Sequence, residues 1–339
     1  METKSRTNMK KGVGAFLVII MVSTGFYGCR KCKDQPAPAE SIEPVTVPQK
    51  VLLYYGYPSL ANGSGWNIHN AMRIFNEFDI IVLGYGLQFP HHDEHNNTRL
   101  LISHLVKNGK KVYGYVPLGL TGPRQPENKL TSREQIQAEI DKWEDLGITG
   151  IFGDEMESGF GVDRTRQNYL IDYAHSAGLS VIANGYAIEE VLGGKDVRLG
   201  DGDYYFLESF GIIAGEYNDI KNTIDRGKRA REYKKKLGIG VITGGRDGLV
   251  KLDDRTVNSD KFRHSYFATL LFNFDGFSYS DFNYSASGEN ANNVMFLPPA
   301  PFYGNEIKDE EVAVQEQDTY VTYTDQKKII LTGKSGRLE

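Results

Sequence analysis

Short runs of β-branched and aromatic residues alternate along this chain with longer stretches whose apolar residues recur every three or four positions. Alternation with period two describes a strand, and a period near 3.6 describes an amphipathic helix. On that pattern strands are predicted at residues 51–55, 80–84, 111–116, 150–153, 179–183, 204–207, 239–243 and 276–279. Helical patterns lie between them, among others at 132–146, 164–177, 219–237 and 259–272. Thr131 or Ser132 stands where an N-cap belongs, with Glu134 and Gln135 in the first turn, and Gly147 and Gly178 stand where helices end in a left-handed residue. Eight strands, each followed by a helix or a loop, predict an α/β fold, a closed (β/α)8 TIM barrel over residues 50–297, in preference to an open doubly wound sheet.

The two ends break this rhythm. Pro298, Pro299 and Pro301 close the barrel pattern, and residues 319–324 and 327–332 then read as a β-hairpin turning at Asp325-Gln326. Residues 298–339 are therefore expected to be a C-terminal hairpin extension. At the other end, a basic start (Lys4, Arg6, Lys10, Lys11) precedes a short apolar run over residues 12–28. That combination describes an export signal, and the run is shorter than the ~20 residues of a spanning helix. Cys29 follows Gly28 directly, which resembles a bacterial lipoprotein cleavage site with Cys29 as the lipidated residue. Residues 29–49 carry Pro36, Pro38, Pro44 and Pro48 and read as an extended tether. The expectation is an exported lipoprotein of the cell envelope or surface, held to a membrane through Cys29.

Composition narrows the chemistry. The formal net charge is −5, and the basic leader means that the rest of the chain is more acidic still. Nucleic-acid binding leans on Lys and Arg meeting phosphates, so such a body suits a neutral or cationic substrate better. Both cysteines, Cys29 and Cys32, precede the folded part, which excludes a cysteine nucleophile or a disulfide within the barrel.

In a barrel the active site is built at the C-terminal ends of the strands. The fourth predicted strand runs into Asp154-Glu155 and the sixth into Glu208. Acids ending two nearby strands can face each other across the barrel mouth, and cleavage of a glycosidic bond needs such a pair, one to protonate the leaving oxygen and one to attack or stabilise the anomeric carbon. Because a strand alternates faces, Asp154 and Glu155 share one side only if the strand bends there. Tyr54, Tyr55, Tyr57, Tyr85, Tyr115, Tyr186 and Tyr279, together with Asp281, follow or end strands on the same rim. As a set they suggest an aromatic-walled sugar cleft, in which Tyr55, Tyr57, Tyr85, Tyr115, Tyr186 and Asp281 would touch substrate.

Tyr55-Gly-Tyr-Pro58-Ser59 with Trp66, then Gly114-Tyr115-Val116, Gly150-Ile-Phe-Gly-Asp154-Glu155, Asn184 and Glu208-Ser209 resembles, in order and spacing, the spherulin-4-like proteins. These form glycoside hydrolase family 135 and are related to the family 114 polygalactosaminidases. The resemblance covers roughly residues 51–210. It implies a (β/α)8 barrel and retaining endo-hydrolysis of α-1,4-linked galactosamine or N-acetylgalactosamine polymers. Carried over by position it implicates Asp154 as nucleophile, Glu208 as acid/base and Glu155 in support, with Asn184 at the substrate. Two loops depart from the family: Asn184-Gly185-Tyr186 replaces an Asn-Pro-Gly-like sequence, and residues 84–90 replace an Asn-Pro-rich one.

Three other signals carry less weight. His91-His-Asp-Glu-His95 is dense in metal-ligand types but sits in a polar loop, so no metal or cofactor is expected. Residues 238–246 are glycine-rich without the Lys-Ser/Thr of a phosphate loop. The basic run over residues 226–236 reads as a solvated helix face. The competing function is a non-catalytic, glycan-binding surface lipoprotein on the same scaffold.

Overall fold

The computed structural model describes residues 43–119, 130–247, 259–281, 290–308 and 311–339. The export signal, Cys29 and most of the expected tether lie outside the described residues. Eight parallel strands close into a barrel: β1 (Gln49–Tyr54), β2 (Ile80–Leu83), β3 (Lys111–Pro117), β4 (Gly150–Asp154), β5 (Ser180–Asn184), β6 (Tyr204–Leu207), β7 (Gly240–Asp247) and β8 (Gly276–Asp281). Each pairs with the next, and β8 closes the ring on β1 through Gly276↔Gln49 to Ser278↔Val51. All eight predicted strands are present, within a few residues at their ends.

Helices α1 (Ile68–Phe75), α2 (His95–Lys107), α3 (Arg133–Glu144), α4 (Arg164–Ser176), α5 (Ile188–Leu192), α6 (Ile220–Leu237) and α7 (Asp260–Leu271) follow the first seven strands in turn. Their starts are chemically marked. Ser132 and Gln135 form a reciprocal capping box on α3, and Asn67, Asp163, Asp219 and Ser259 each accept a first-turn N–H. Gly147 and Gly178 take the left-handed conformation expected of them.

Strand alternation sorts the side chains into two layers. Val51, Ile80, Val82, Tyr113, Phe152, Ile182, Tyr204, Phe206 and Ile242 fill the barrel interior. Their neighbours, such as Leu52, Ile81, Val112, Ile151, Val181, Tyr205, Val241 and Phe277, pack outward against the helices. Gly114 shows how tightly the layers meet. A Cβ there would fall 2.3 Å from the Trp143 ring, and Trp143 donates its indole N–H to the Tyr115 carbonyl at 3.2 Å. Helix α3 is thereby pressed onto β3 next to the barrel mouth.

Three expectations need correction. The expected C-terminal hairpin is present but is the middle of a larger four-stranded antiparallel meander: β9 (Ala313–Glu316), β10 (Thr319–Tyr323), β11 (Lys328–Thr332) and β12 (Gly336–Leu338). The outer strands were hidden because β9 is exposed at every position and β12 has three residues. Residues 43–48 of the expected tether are packed on the body. Glu43 and Pro44 pair with Ile307 and Glu306, Glu43 accepts from Arg231 at 2.7 Å, and Thr46 donates its N–H to Asn273 at 2.7 Å. The run over residues 226–236 is not wholly a solvated face, since Arg226 and Arg231 are buried. Among the described residues no helix is long and apolar enough to cross a membrane.

The C-terminal sheet packs against α7, whose His264 is fully buried with the Tyr217 ring edge-on at 5.3 Å. Burial lowers the imidazole pKa to about 4, outweighing the Thr332 backbone, which favours the charged form. The unfolded chain, with an ordinary histidine, binds a proton near pH 6.5, so it out-competes the folded state for protons between about pH 6.5 and 4. Stability is expected to fall by about 3 kcal/mol as the pH is lowered through that window. Denaturant unfolding at stepped pH should show the slope, and His264→Gln should flatten it whatever its effect at neutral pH; an unchanged slope would assign the loss to other groups.

Candidate active site

Inward positions at the C-terminal end of the barrel carry the chemistry. Counting in twos from the interior residues Phe152, Ile182, Phe206 and Ile242, the last inward side chains are Asp154 on β4, Asn184 on β5, Glu208 just past β6 and Arg246 on β7. Ser278 and Ser280 occupy the equivalent places on β8. All six line one cleft with Tyr55, Glu155, Glu157, Phe160, Tyr186, Phe206 and Ser209. The cleft holds about 1120 Å³ of empty space including its open mouth.

Asp154 is fixed by three donors. Its Oδ1 accepts the Glu155 backbone N–H at 2.8 Å and the Asn184 amide at 2.6 Å, and its Oδ2 accepts the Tyr115 hydroxyl. Burial and the nearby Asp154 charge push the Tyr115 phenol far above its usual range, so it stays protonated and remains a donor. The Tyr115 ring stacks on Phe152 at 5.8 Å and meets the edge of Tyr55 at 6.0 Å. Tyr115 thus supports the carboxylate from beneath and is not itself part of the cleft wall.

Glu155 breaks the alternation. An extended residue after Asp154 would point outward, but Glu155 has φ +58°, a left-handed conformation that costs a non-glycine residue roughly 1–3 kcal/mol. With this bend Glu155 lines the same cleft as Asp154. Beyond it the Met156 N–H bonds to the Asn184 carbonyl at 2.9 Å, and Gln167 donates to the Met156 carbonyl at 2.6 Å, which holds the turn.

Glu208 stands across from Asp154 and sits in a different field. Its Oε1 accepts from Arg246 Nη2 at 3.0 Å, with the two side chains 35% and 42% exposed respectively. Burial is the largest influence and raises the carboxyl pKa above its usual 4.5, and the Asp154 charge adds to the rise. Arg246, the Asn184 amide and Arg226 pull the other way without cancelling it. Asn184 therefore serves both acids. Asp154 is met by three donors, and Glu208 is biased toward holding its proton.

The sequence-predicted residues divide by strand parity. Asp154, Glu155, Glu208, Tyr55, Asn184 and Tyr186 reach the cleft, and Tyr115 supports it from below. Tyr57, Tyr85 and Asp281 are not among the cleft-lining residues. Asp281 follows the inward Ser280 and takes the outward face. Tyr85 lies one residue out of phase on β2, packing on Phe89 at 5.5 Å. Tyr57 is carried past the end of β1, where it meets Trp66 and His92. Tyr54 and Tyr279 are outward core residues. Arg246, Ser278 and Ser280 escaped the sequence reading although period two on β7 and β8 marks them. The His91–His95 stretch is spent on structure: buried Glu94 accepts from the Ser59 N–H and hydroxyl, both at 2.8 Å. Among the described residues no group of three or more His, Cys, Asp or Glu side chains converges as a metal site would.

No protein-family model and no curated protein matches this sequence. Solved structures do resemble it in fold. The glycoside hydrolase domain of PelA from Pseudomonas aeruginosa shares 14% identity, covering 73% of this chain and 100% of that one at a TM-score of 0.45. An α-amylase from Malbranchea cinnamomea shares 11%, covering 85% of both chains at 0.49. A type I 3-dehydroquinate dehydratase from Clostridium difficile shares 12%, covering 74% and 88% at 0.42.

Removing the Arg246 cation takes away the strongest influence holding the Glu208 pKa down. Arg246→Met is expected to move the Glu208 carboxyl titration to higher pH, read by carboxyl 13C NMR with Glu208→Gln as the assignment control. A titration at or below the wild-type position would show that the ion pair does not set the proton affinity of this acid.

Proposed function

We propose that this protein is a glycoside hydrolase acting on a polysaccharide through Asp154 and Glu208. The observation that carries the reading is the split between two facing carboxyls in one aromatic-walled cleft, one held by three hydrogen-bond donors and one with a raised pKa. Protonated Glu208 gives its proton to the glycosidic oxygen as the bond to the anomeric carbon breaks. Asp154 attacks that carbon, and its donors keep the nucleophilic oxygen aimed. Glu208, now ionised, takes a proton from the water that releases the glycosyl group, so the configuration is retained. Glu155 and Asn184 are placed to bind ring substituents, and Tyr55 and Tyr186 to receive a sugar face.

The proposed substrate is a polymer containing α-1,4-linked galactosamine or N-acetylgalactosamine, cut internally. Its support is the resemblance to the spherulin-4-like and polygalactosaminidase families together with the cleft charge. With Glu208 holding its proton, Asp154, Glu155 and Glu157 still outnumber Arg246, the one cation among the described lining residues. Such a field attracts a sugar bearing an ammonium group.

Asp154→Asn and Glu208→Gln are each expected to lower the release of new reducing ends from a galactosamine-containing glycan by at least about 10³-fold, with unfolding midpoints close to wild type. Retained turnover in both variants would sink the proposal. Glycan affinity without new ends in the wild type would leave a binding protein on the same scaffold.

The protein is further proposed to be exported and lipid-anchored through Cys29, on the strength of its basic leader, short apolar run and Gly28-Cys29 junction. Metabolic labelling with a radioactive fatty acid should mark the wild type and not Cys29→Ser; equal labelling of both would refute the anchor.

A further inference from the structure

Helix α6 sends one side chain toward the site. Arg226 is 9% exposed, and its guanidinium makes three contacts. Nη2 donates to the Glu208 carbonyl at 2.9 Å, Nη1 to the Ser209 carbonyl at 3.2 Å, and the group lies over the Tyr186 ring with its centre 4.3 Å from the ring centroid. The geometry assigns Arg226 as a positioning residue that locks the acid Glu208 and the aromatic wall Tyr186 into one arrangement. The kinetic part of this inference rests on the hydrolase reading above, and the structural part does not.

Three observations favour that role over simple packing. Burying a cation is costly unless it is well partnered, and no carboxylate within salt-bridge distance offsets this one among the described residues. Two neutral carbonyls could be satisfied by an amide, so the retained charge does something an amide would not: it favours the ionised form of Glu208. The shape of the group also matters, because only a flat fork can reach two successive carbonyls and stack on a ring at once. The chain at the carbonyls needs such a hold. Ser209 sits at φ +54°, a left-handed residue immediately after the acid; the Phe210 N–H on the Gly244 carbonyl at 2.8 Å ties down the following residue, and Arg226 takes the Glu208 and Ser209 carbonyls themselves. Tyr186, by contrast, is 43% exposed on a loop after β5, where a phenol ring would turn freely. Tyr186 lines the cleft, and with one ring face held by Arg226 it becomes a fixed platform for a sugar beside the proton donor.

The test compares Arg226→Met, which keeps the stem and removes the fork and charge, with Arg226→Lys, which keeps stem and charge. Wild-type protein carrying 3-fluorotyrosine should show a Tyr186 19F resonance displaced from that of free fluorotyrosine, assigned by its loss in Tyr186→Phe. In Arg226→Met that resonance is expected to move toward the free position. On a glycan substrate kcat should fall by about 10- to 100-fold and KM rise, the cost of a misplaced acid and a loosened wall. The alkaline limb of the pH–rate profile should also move to higher pH. Arg226→Lys is expected to restore the pH limb while leaving kcat low, and it remains informative if the methionine variant does not fold. A wild-type 19F position and kcat in both variants, or a lower unfolding midpoint with neither changed, would overturn the inference and leave Arg226 as packing. If the wild type cleaves no glycan, the 19F comparison still decides the role of Arg226, and only the hydrolase reading falls.

Discussion

Closing eight strands into a ring forces every second side chain into the same narrow interior, and the rest of this molecule is arranged around that constraint. Below the mouth the inward positions can only be filled by packing, so they are Val, Ile, Phe and Tyr, with Tyr113 bonded to Ser180 and Lys111 to Tyr204 where polar atoms enter. At the mouth the same parity delivers Asp154, Asn184, Glu208, Arg246, Ser278 and Ser280 to one cleft. A side chain one residue out of phase, such as Tyr54, Tyr279 or Asp281, is sent to the helices or the rim however suitable its chemistry.

The two acids differ because their surroundings differ. Asp154 is met by a backbone N–H, an amide and a phenol, so its negative charge is solvated by fixed dipoles. Glu208 has burial and a like charge against it, and Arg246, the Asn184 amide and Arg226 for it. Two carboxyls two strands apart thus sit in different fields, and burial raises the pKa of Glu208. The arrangement asks little of mobile parts. Asn184 bridges the acids from a strand end, and Trp143 clamps β3 beneath Tyr115.

Of the eight non-glycine residues with positive φ among the described residues, two stand beside the strand-end acids. Glu155 and Ser209 are left-handed without being glycine, each directly at or after a strand-end acid. Bends of this kind survive only where surrounding bonds over-determine them. At Glu155 the Met156–Asn184 and Gln167–Met156 bonds do so. At Ser209 the Phe210 N–H on the Gly244 carbonyl and the Ser265 hydroxyl on the Phe210 carbonyl do so on one side, and Arg226 takes the Glu208 and Ser209 carbonyls on the other.

By itself the sequence determined the barrel, because period two and period 3.6 are written locally and glycines and caps mark the joins. It also singled out Asp154, Glu155 and Glu208, because acids that end inward strands need no tertiary information to be noticed. Only the folded chain decided which tyrosines belong to the cleft, since phase on a strand is lost once the chain bends or overshoots, as at Tyr57. It alone placed Arg246 against Glu208 and turned Arg226 from an apparent surface cation into a buried one. An ion pair 38 residues apart in sequence and an arginine–carbonyl contact 18 apart, each between different elements, leave no local pattern to read. The fourth strand of the C-terminal sheet was invisible for a related reason: three residues become a strand only when a neighbour offers its edge.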